Sequence, residues 1–185
     1  PFDFGIISYL HSQNDILSGG GSVKTISVSQ ALPFSEGIIE SFFMEYFMKG
    51  IKSEAIRDGS TIASGHSYQS KEPGITITMN GSYEKQITKS QAKENELIYL
   101  SKPLGTGYLL AAYFNNSELL SSFDFQKLMK WMKKGNKKIS EISKSFKSKI
   151  TTDVSGFGLA SHLSDVCKFS GLSAEIKLNE EILIN

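Results

Sequence analysis

The sequence predicts an α/β (α+β) fold of two lobes, in which mixed sheets are flanked by helices. Residues 23–32 alternate β-branched and polar side chains, as a strand does, and apolar residues between Ile38 and Ile51 recur at helical spacing. Residues 87–96 are polar and rich in Lys, Gln and Asn, which is typical of a linker. We therefore expect a first lobe over residues 1–88 and a second over residues 96–185.

The first lobe is expected to begin with a helix that ends at Gly19–Gly21. Ser35 is a suitable N-cap for the helix that carries the aromatic stripe, and we expect that stripe to lie in the core. The two strands that follow adjoin in the sequence, so we expect them to form a hairpin with a turn at residues 71–74. The predicted elements are helix 4–17, strand 23–32, the helix after Ser35, and strands 60–66 and 74–84.

The second lobe is expected to open with a buried strand, because residues 97–104 form a short apolar run. Gly105 and Gly107 lead into a helix, and Gly171 is placed to end the last helix. Residues 149–154 are expected to return to the interior. The predicted elements are strand 97–104, the helix after Gly107, one long helix or two over residues 123–147, helix 156–169 and strand 173–178.

Composition limits the possible partners. The net charge is +1, so no overall field attracts nucleic acid or an anionic membrane, and the lysines between Lys127 and Lys149 are interpreted as a solvated helix face. No secretory signal or bilayer-length apolar run is evident. The single cysteine, Cys167, allows no disulfide within one chain and is interpreted as a buried small hydrophobe. We expect a cytoplasmic protein that binds neither nucleic acid nor membrane.

Three polar segments are candidates for chemistry. Asp15 precedes three glycines, Gly65-His66-Ser67 is expected at a strand end, and Asp153 precedes a turn with two glycines. Glycine turns can offer backbone N–H groups to phosphate, and a pair of carboxylates suits a divalent cation bound to a polyphosphate. Each segment also has a simpler interpretation, as a turn or cap aspartate or a structural histidine. His11, His66 and His162 do not share metal-ligand spacing.

Two common nucleotide motifs are missing. Gly156 and Gly158 do not continue into a dinucleotide fingerprint, because Ser161 stands where the third glycine is needed. No Walker-type lysine follows a Gly-x-x-x-x-Gly loop. The residues by themselves therefore indicate a phosphate site in an α/β protein and leave its chemistry open.

Five segments taken together resemble the selenophosphate synthetases (selenide, water dikinases) of the aminoimidazole-ribonucleotide-synthetase-like superfamily. They are PFDFGIIS, NDILSGGG, SGHS, LSKPLGTG and TTDVSGFGLASHL. The resemblance implies a homodimer whose first-lobe sheets join in a β-barrel, with ATP bound between the lobes. It also implies transfer of the γ-phosphoryl group of ATP to selenide, which gives selenophosphate, AMP and phosphate and requires Mg²⁺.

The resemblance also implies roles for individual residues. By position, Asp15 matches a magnesium ligand near the nucleotide, and Asp153 matches another magnesium ligand. Gly65, His66 and Ser67 match a nucleotide contact that is offered across the dimer. ATP and selenide are then the small-molecule substrates, and Mg²⁺ is the cofactor.

The sequence departs from the family in ways that bear on catalysis. The catalytic Cys or selenocysteine of the family, its neighbouring Lys and two more metal-binding aspartates precede the position that matches Pro1, and Cys167 is not in a position to replace that cysteine. No catalytic residue is therefore assigned, both ends are expected to be cuts, and the chain alone is expected to be inactive. It is either part of a working enzyme or a truncated relative that acts as a dimerising or nucleotide-binding module; a different phosphoryl acceptor is a third hypothesis.

Overall fold

The computed structural model describes residues 1–33, 37–177, 179 and 182–184. Backbone contacts divide the chain into two compact units, Pro1–Gln86 (unit 1) and Ile87–Asn185 (unit 2). Helices accompany a mixed three-stranded sheet, so the predicted mixed α/β fold is confirmed. Within the described residues, no helix combines the length and the apolar character needed to cross a membrane.

Unit 1 contains two helices and three strands. Its first helix and its first and third strands lie close to their predicted bounds, but the second strand runs to Ser70, past its predicted end at His66. The five elements are α1 (Phe2–Ser18), β1 (Ser22–Pro33), α2 (Gly37–Asp58), β2 (Thr61–Ser70) and β3 (Gly74–Ser82). The predicted N-cap of α2, Ser35, lies outside the described residues. Of the aromatic stripe on α2, Phe47 and Ile51 are buried but Ile38 is 85% exposed, so the core prediction holds only for the second half of the helix.

The predicted hairpin between β2 and β3 is wrong, because β1 lies between them in the sheet order β2-β1-β3. β1 pairs in parallel with β2, from Thr25↔Thr61 to Pro33↔Ser70. It pairs antiparallel with β3, from Ser22↔Ser82 to Ala31↔Gly74. The central place suits β1 because its alternate apolar side chains are the most deeply buried of the sheet. Burial of these side chains stabilises the strand order β2-β1-β3 more than adjacency in the sequence stabilises a β2–β3 hairpin.

The core of unit 1 lies between the two helices and one face of the sheet. Its members are Ile6, Tyr9, Leu10, Val23, Ile26, Val28, Ile51 and Ala55. The helices α1 and α2 approach each other through Gly5 and Gly50. A Cβ on Gly5 would collide with the backbone oxygen of Phe47, and a Cβ on Gly50 with that of Phe2. Glycine at both positions is therefore what allows the two helices to pack so closely.

Unit 2 is helical in its described part. Its helices are α3 (Thr106–Asn115), α4 (Ser122–Met132), α5 (Lys137–Ser145) and α6 (Gly158–Ser170), with a 3-10 turn at Ser117–Leu119. Ser121 caps α4 by accepting a hydrogen bond from the Asp124 N–H at 3.1 Å. Gly171 ends α6 in the left-handed conformation, with φ of 67°. The predicted region 123–147 thus forms two helices, separated around Gly135.

Both strands predicted for unit 2 are wrong for the residues described. Leu97 and Tyr99 are 78% and 84% exposed, and Leu104 alone of residues 97–104 forms a bridge, to Leu183. Residues 173–177 form no strand either, and Leu178 lies outside the described residues. A strand needs a partner for its backbone groups, and an apolar run does not supply one by itself. Residues 149–154 lie in irregular structure and range from half-buried to exposed, and Cys167 is half-buried rather than buried.

Candidate functional site

Asp15 lies in the last turn of α1 with its side chain exposed. Its backbone carbonyl accepts hydrogen bonds from the Ser18 Oγ at 3.0 Å and from the Gly19 N–H at 3.3 Å. The C-terminal end of a helix carries a partial negative charge from its unpaired carbonyls. The carboxylate of Asp15 therefore stands in a negative environment, which favours a cation.

The glycine turn after Asp15 closes the helix. Besides Gly19, the N–H of Gly20 donates to the Leu17 carbonyl at 3.0 Å and that of Gly21 to the Ile16 carbonyl at 2.8 Å. These N–H groups complete the C-terminus of α1. The expectation that this turn offers them to a phosphate is therefore not met, because all three are already engaged.

The segment Gly65-His66-Ser67 lies in the middle of β2, so its expected place at a strand end is wrong. Because side chains alternate along a strand, Ser67 points to the helix side, where its Oγ lies 3.8 Å from the Met44 Sδ. His66 points to the opposite face and stacks on Tyr68, with ring centroids 6.4 Å apart. All three residues of the segment are exposed and available for contact.

Asp15 and the 65–67 segment lie at different places on unit 1. Gly65 pairs with Val28 on the β2 side of β1. The end of α1 lies over β3, since a Cβ on Gly81 would come within 2.8 Å of the Ile16 side chain. The stretch of β1 from Ser22, next to the glycine turn, to Val28 spans about 20 Å at the rise of an extended strand. The 65–67 segment and the end of α1 are therefore associated with opposite edge strands of the sheet, β2 and β3.

Asp153 lies in unit 2, half-buried in the loop that precedes α6. Two residues later, Ser155 is held on both sides. Its N–H donates to the Nε2 of His162 at 3.3 Å, and its carbonyl accepts from the Gly158 N–H at 2.9 Å. Gly158 has φ of 75°, a conformation that favours glycine. The loop that carries Asp153 is thus attached to the first turns of α6.

Sequence reasoning missed His162, which is only 9% exposed and contacts the Asp153 loop through Ser155. A usable signal was present. Helical side chains lean toward the N-terminus of their helix, so a histidine early in α6 faces the loop before it.

Lys102, in the LSKPLGTG segment, was also overlooked. Burial lowers the pKa of its ammonium group, and the positive charge of Lys134 lowers that pKa further. The neighbouring Ser101 hydroxyl lies 3.4 Å from the Asn136 Oδ1, so this segment lies against the turn between α4 and α5. The charge of Lys134 therefore acts on Lys102 within unit 2.

The described residues contain no group of three His, Cys, Asp or Glu side chains arranged to hold a metal ion. Magnesium does not require such a group when phosphate oxygens and waters complete its coordination. The oxygen donors of Asp15 and Asp153 fit the chemistry of this hard cation. Their convergence on one shared ion stays a prediction.

Comparison with known proteins supports the resemblance. No protein-family model matches the chain. A curated protein named selenide, water dikinase from Treponema denticola is 29% identical over 182 residues, covering 95% of this chain and 49% of its own length. Its namesakes from Photobacterium profundum and Caldanaerobacter subterraneus are each 30% identical, over 95% of this chain and 50% of their own length. The chain thus spans about half the length of these relatives, and the resemblance is confirmed.

Solved structures with the same fold include kinases and a maturation protein. AaThiL complexed with AMPPCP and TMP superimposes with a TM-score of 0.74 at 18% identity, covering 92% of this chain and 55% of that one. Thiamine-monophosphate kinase from Stenotrophomonas maltophilia also gives 0.74, at 16% identity, over 92% and 54%. The HypE-HypF complex gives 0.72 at 14% identity, over 90% and 55%. At these identities, the likeness establishes the fold.

Proposed function

Because this chain is a relative of the selenide, water dikinases along 95% of its length, we propose that it forms part of a selenophosphate-synthesising phosphotransferase. In that reaction the γ-phosphoryl group of ATP goes to selenide, and water takes up the second phosphoryl group. Selenophosphate, AMP and phosphate are the products. The similarity to proteins named selenide, water dikinase is the observation that carries the proposal. We also propose that the protein acts in the cytoplasm.

In this proposal, Asp15 and Asp153 hold Mg²⁺, which neutralises phosphate charge when it is bound. The exposure of Asp15 at the negative end of α1 supports its part. The attachment of the Asp153 loop to α6 supports the second part, because a fixed loop loses less conformational freedom when it binds an ion. Catalysis then depends on positioning and charge neutralisation.

We also propose that the protein is a homodimer and that Gly65, His66 and Ser67 contact the nucleotide of the partner subunit. The placement of this segment on the β2 side of the sheet, and of the end of α1 on the β3 side, supports this division between two subunits. In the described sheet, β2 and β3 each pair only with β1. Their outer edges therefore present backbone groups that pairing with a second sheet would satisfy.

A second candidate is a non-catalytic relative that binds nucleotide or dimerises. It is favoured by the small number of metal-ligating groups: among the described residues no three of them form a cluster. Weak binding of Mg²⁺ and nucleotide without turnover is the behaviour expected of such a module.

Phosphorus NMR of the natural protein, isolated from its own cells and characterised by intact mass, distinguishes the two candidates. The protein is mixed anaerobically with ATP, Mg²⁺ and selenide, and a reaction without selenide is the control. We expect selenide-dependent signals of selenophosphate and AMP. Nucleotide binding without selenide-dependent AMP would support the module instead, and formation of AMP at the same rate without selenide would contradict the proposed acceptor.

A further inference from the structure

His162 is a buried polar side chain whose described hydrogen bonds are with the loop that carries Asp153. Its Nε2 lies 3.3 Å from both the N–H and the Oγ of Ser155. It projects from the second turn of α6 toward this loop. No other side chain among the described residues is hydrogen-bonded to the backbone of residues 153–157 from a neighbouring helix.

The hydrogen bond determines which ring nitrogen carries the proton. A backbone N–H can only donate, so the Nε2 must accept, and a neutral imidazole then has its hydrogen on Nδ1. Nδ1 is buried and has no hydrogen-bond partner among the described protein groups. A buried donor without a partner lowers the stability of the fold, so apolar packing alone does not explain a histidine at position 162.

We infer that His162 is the positioning residue of the Asp153 loop, acting through the Ser155 N–H to hold the carboxylate ready for the metal–nucleotide complex. The inference rests on the proposed function for Asp153. The two attachments of Ser155, to His162 and to Gly158, fix the peptide groups directly after Val154 and leave the Asp153 carboxylate as the free end of a restrained loop. Groups that orient a metal ligand from behind commonly change metal affinity by about 10–100-fold when removed.

The test uses two substitutions of His162, one that keeps a hydrogen-bond acceptor near the Ser155 N–H and one that removes it. In His162→Gln, the amide oxygen reaches a position similar to that of Nε2 and accepts the Ser155 N–H; His162→Phe keeps an aromatic ring but has no acceptor. Ser161→Ala is the matched control, because Ser161 is exposed and directly precedes His162 in α6. Each protein is titrated with Mg²⁺ and AMPPCP, with the Asp153 amide followed by NMR so that weak binding remains measurable. Exchange of the Ser155 amide with solvent is measured in parallel.

We expect His162→Phe to weaken binding by about tenfold and to accelerate exchange at Ser155, while His162→Gln and Ser161→Ala stay close to the wild type. If Asp153→Asn abolishes binding but His162→Phe leaves the affinity unchanged, the inference about His162 is overturned. The proposed function of Asp153 stands in that case. If Asp153→Asn binds as well as the wild type, the proposed role of Asp153 fails instead.

The wild-type protein provides a test that does not depend on any variant folding or on any nucleotide. Nitrogen-15 shifts of the His162 ring distinguish the two neutral tautomers. We expect the hydrogen on Nδ1 and a coupling to the Ser155 amide. A hydrogen on Nε2 would remove the acceptor and overturn the inference directly.

Discussion

The hydroxyl of Tyr9 donates a hydrogen bond to the Asp58 Oδ2 at 2.9 Å and lies 2.9 Å from the Ser60 Oγ, linking α1 to the segment that joins α2 to β2. Tyr9 is fully buried in the core of unit 1. A buried hydroxyl with two partners stabilises the fold, and its removal leaves Asp58 with one donor fewer. This contact ties the first helix to the start of the strand that carries the proposed nucleotide contact.

We predict that Tyr9→Phe lowers the free energy of unfolding by about 1–3 kcal/mol, because the ring stays packed while the hydrogen bonds are lost. Urea unfolding followed by circular dichroism measures the change. Tyr83→Phe is the control, because Tyr83 is 58% exposed; its effect should stay within about 0.5 kcal/mol. Equal effects of the two substitutions would show that the Tyr9 hydroxyl contributes nothing to stability.

Tyr9 should also make stability depend on alkaline pH. Burial raises the pKa of the Tyr9 phenol above its ordinary value of 10.0. Because the pKa of Tyr9 is raised in the folded state, the neutral phenol contributes its full stabilisation below pH 10.0. This stabilisation is lost as the pH rises above that value, where the unfolded chain ionises first. Unfolding free energies at pH 8 to 11 should therefore fall less steeply for Tyr9→Phe than for the wild type. Parallel slopes would contradict the prediction.

The close approach of α1 and α2 predicts a large effect at Gly50. In Gly50→Ala the new Cβ collides with the backbone oxygen of Phe2, so the helices must separate, at a cost of about 1–3 kcal/mol. Gly37→Ala is the matched control, because it lies in the same helix and a Cβ there meets nothing within 4 Å. Thermal and urea unfolding of both variants measures the difference. A Gly50→Ala protein as stable as Gly37→Ala would exclude the tight helix contact.

The sequence predicted local elements better than their partners. β1 follows from its alternation of β-branched and polar residues, and α6 from Gly171 after an apolar helical pattern. The order β2-β1-β3 was not predictable in this way, since β1 meets both partners through pairing distant in sequence. The apolar run at Leu97 and Tyr99 shows the same limit, because composition indicates a strand only where another strand is present to pair with it.

The candidate site shows a similar division. The glycine turns beside Asp15 and Asp153 made both residues candidates, and the resemblance implied their individual roles as magnesium ligands. The resemblance did not indicate that the glycine N–H groups after Asp15 are engaged with α1, or that His162 holds the Asp153 loop, because both facts depend on the direction of backbone and side-chain groups in three dimensions. Such contacts follow from the geometry of helix ends.

Lys102 yields a prediction about charge in unit 2. Its lowered pKa has burial as the main cause and the charge of Lys134 as the second. Lys134→Met removes that charge, so the pKa of Lys102 should rise toward its ordinary value of 10.5 while remaining below it. Carbon-13 NMR of the lysine Cε, recorded across alkaline pH, measures the shift. Lys149→Met, at an exposed position, is the control; the same rise in both variants would rule out Lys134 as the cause.

Mixing subunits tests whether Asp15 and His66 serve one nucleotide from different chains. Asp15→Asn and His66→Ala should each abolish binding of Mg²⁺ and AMPPCP in a homodimer. A mixed dimer has one subunit of each variant and two sites. If each site takes Asp15 from one subunit and His66 from the other, one site has both wild-type residues and the second has both substitutions. Binding should then return at one site per mixed dimer. If both residues belonged to the same subunit's site, every site in the mixed dimer would carry one defect. Unfolded and refolded mixtures, titrated by calorimetry, would then show no recovery, and the proposed contact across the dimer would be wrong.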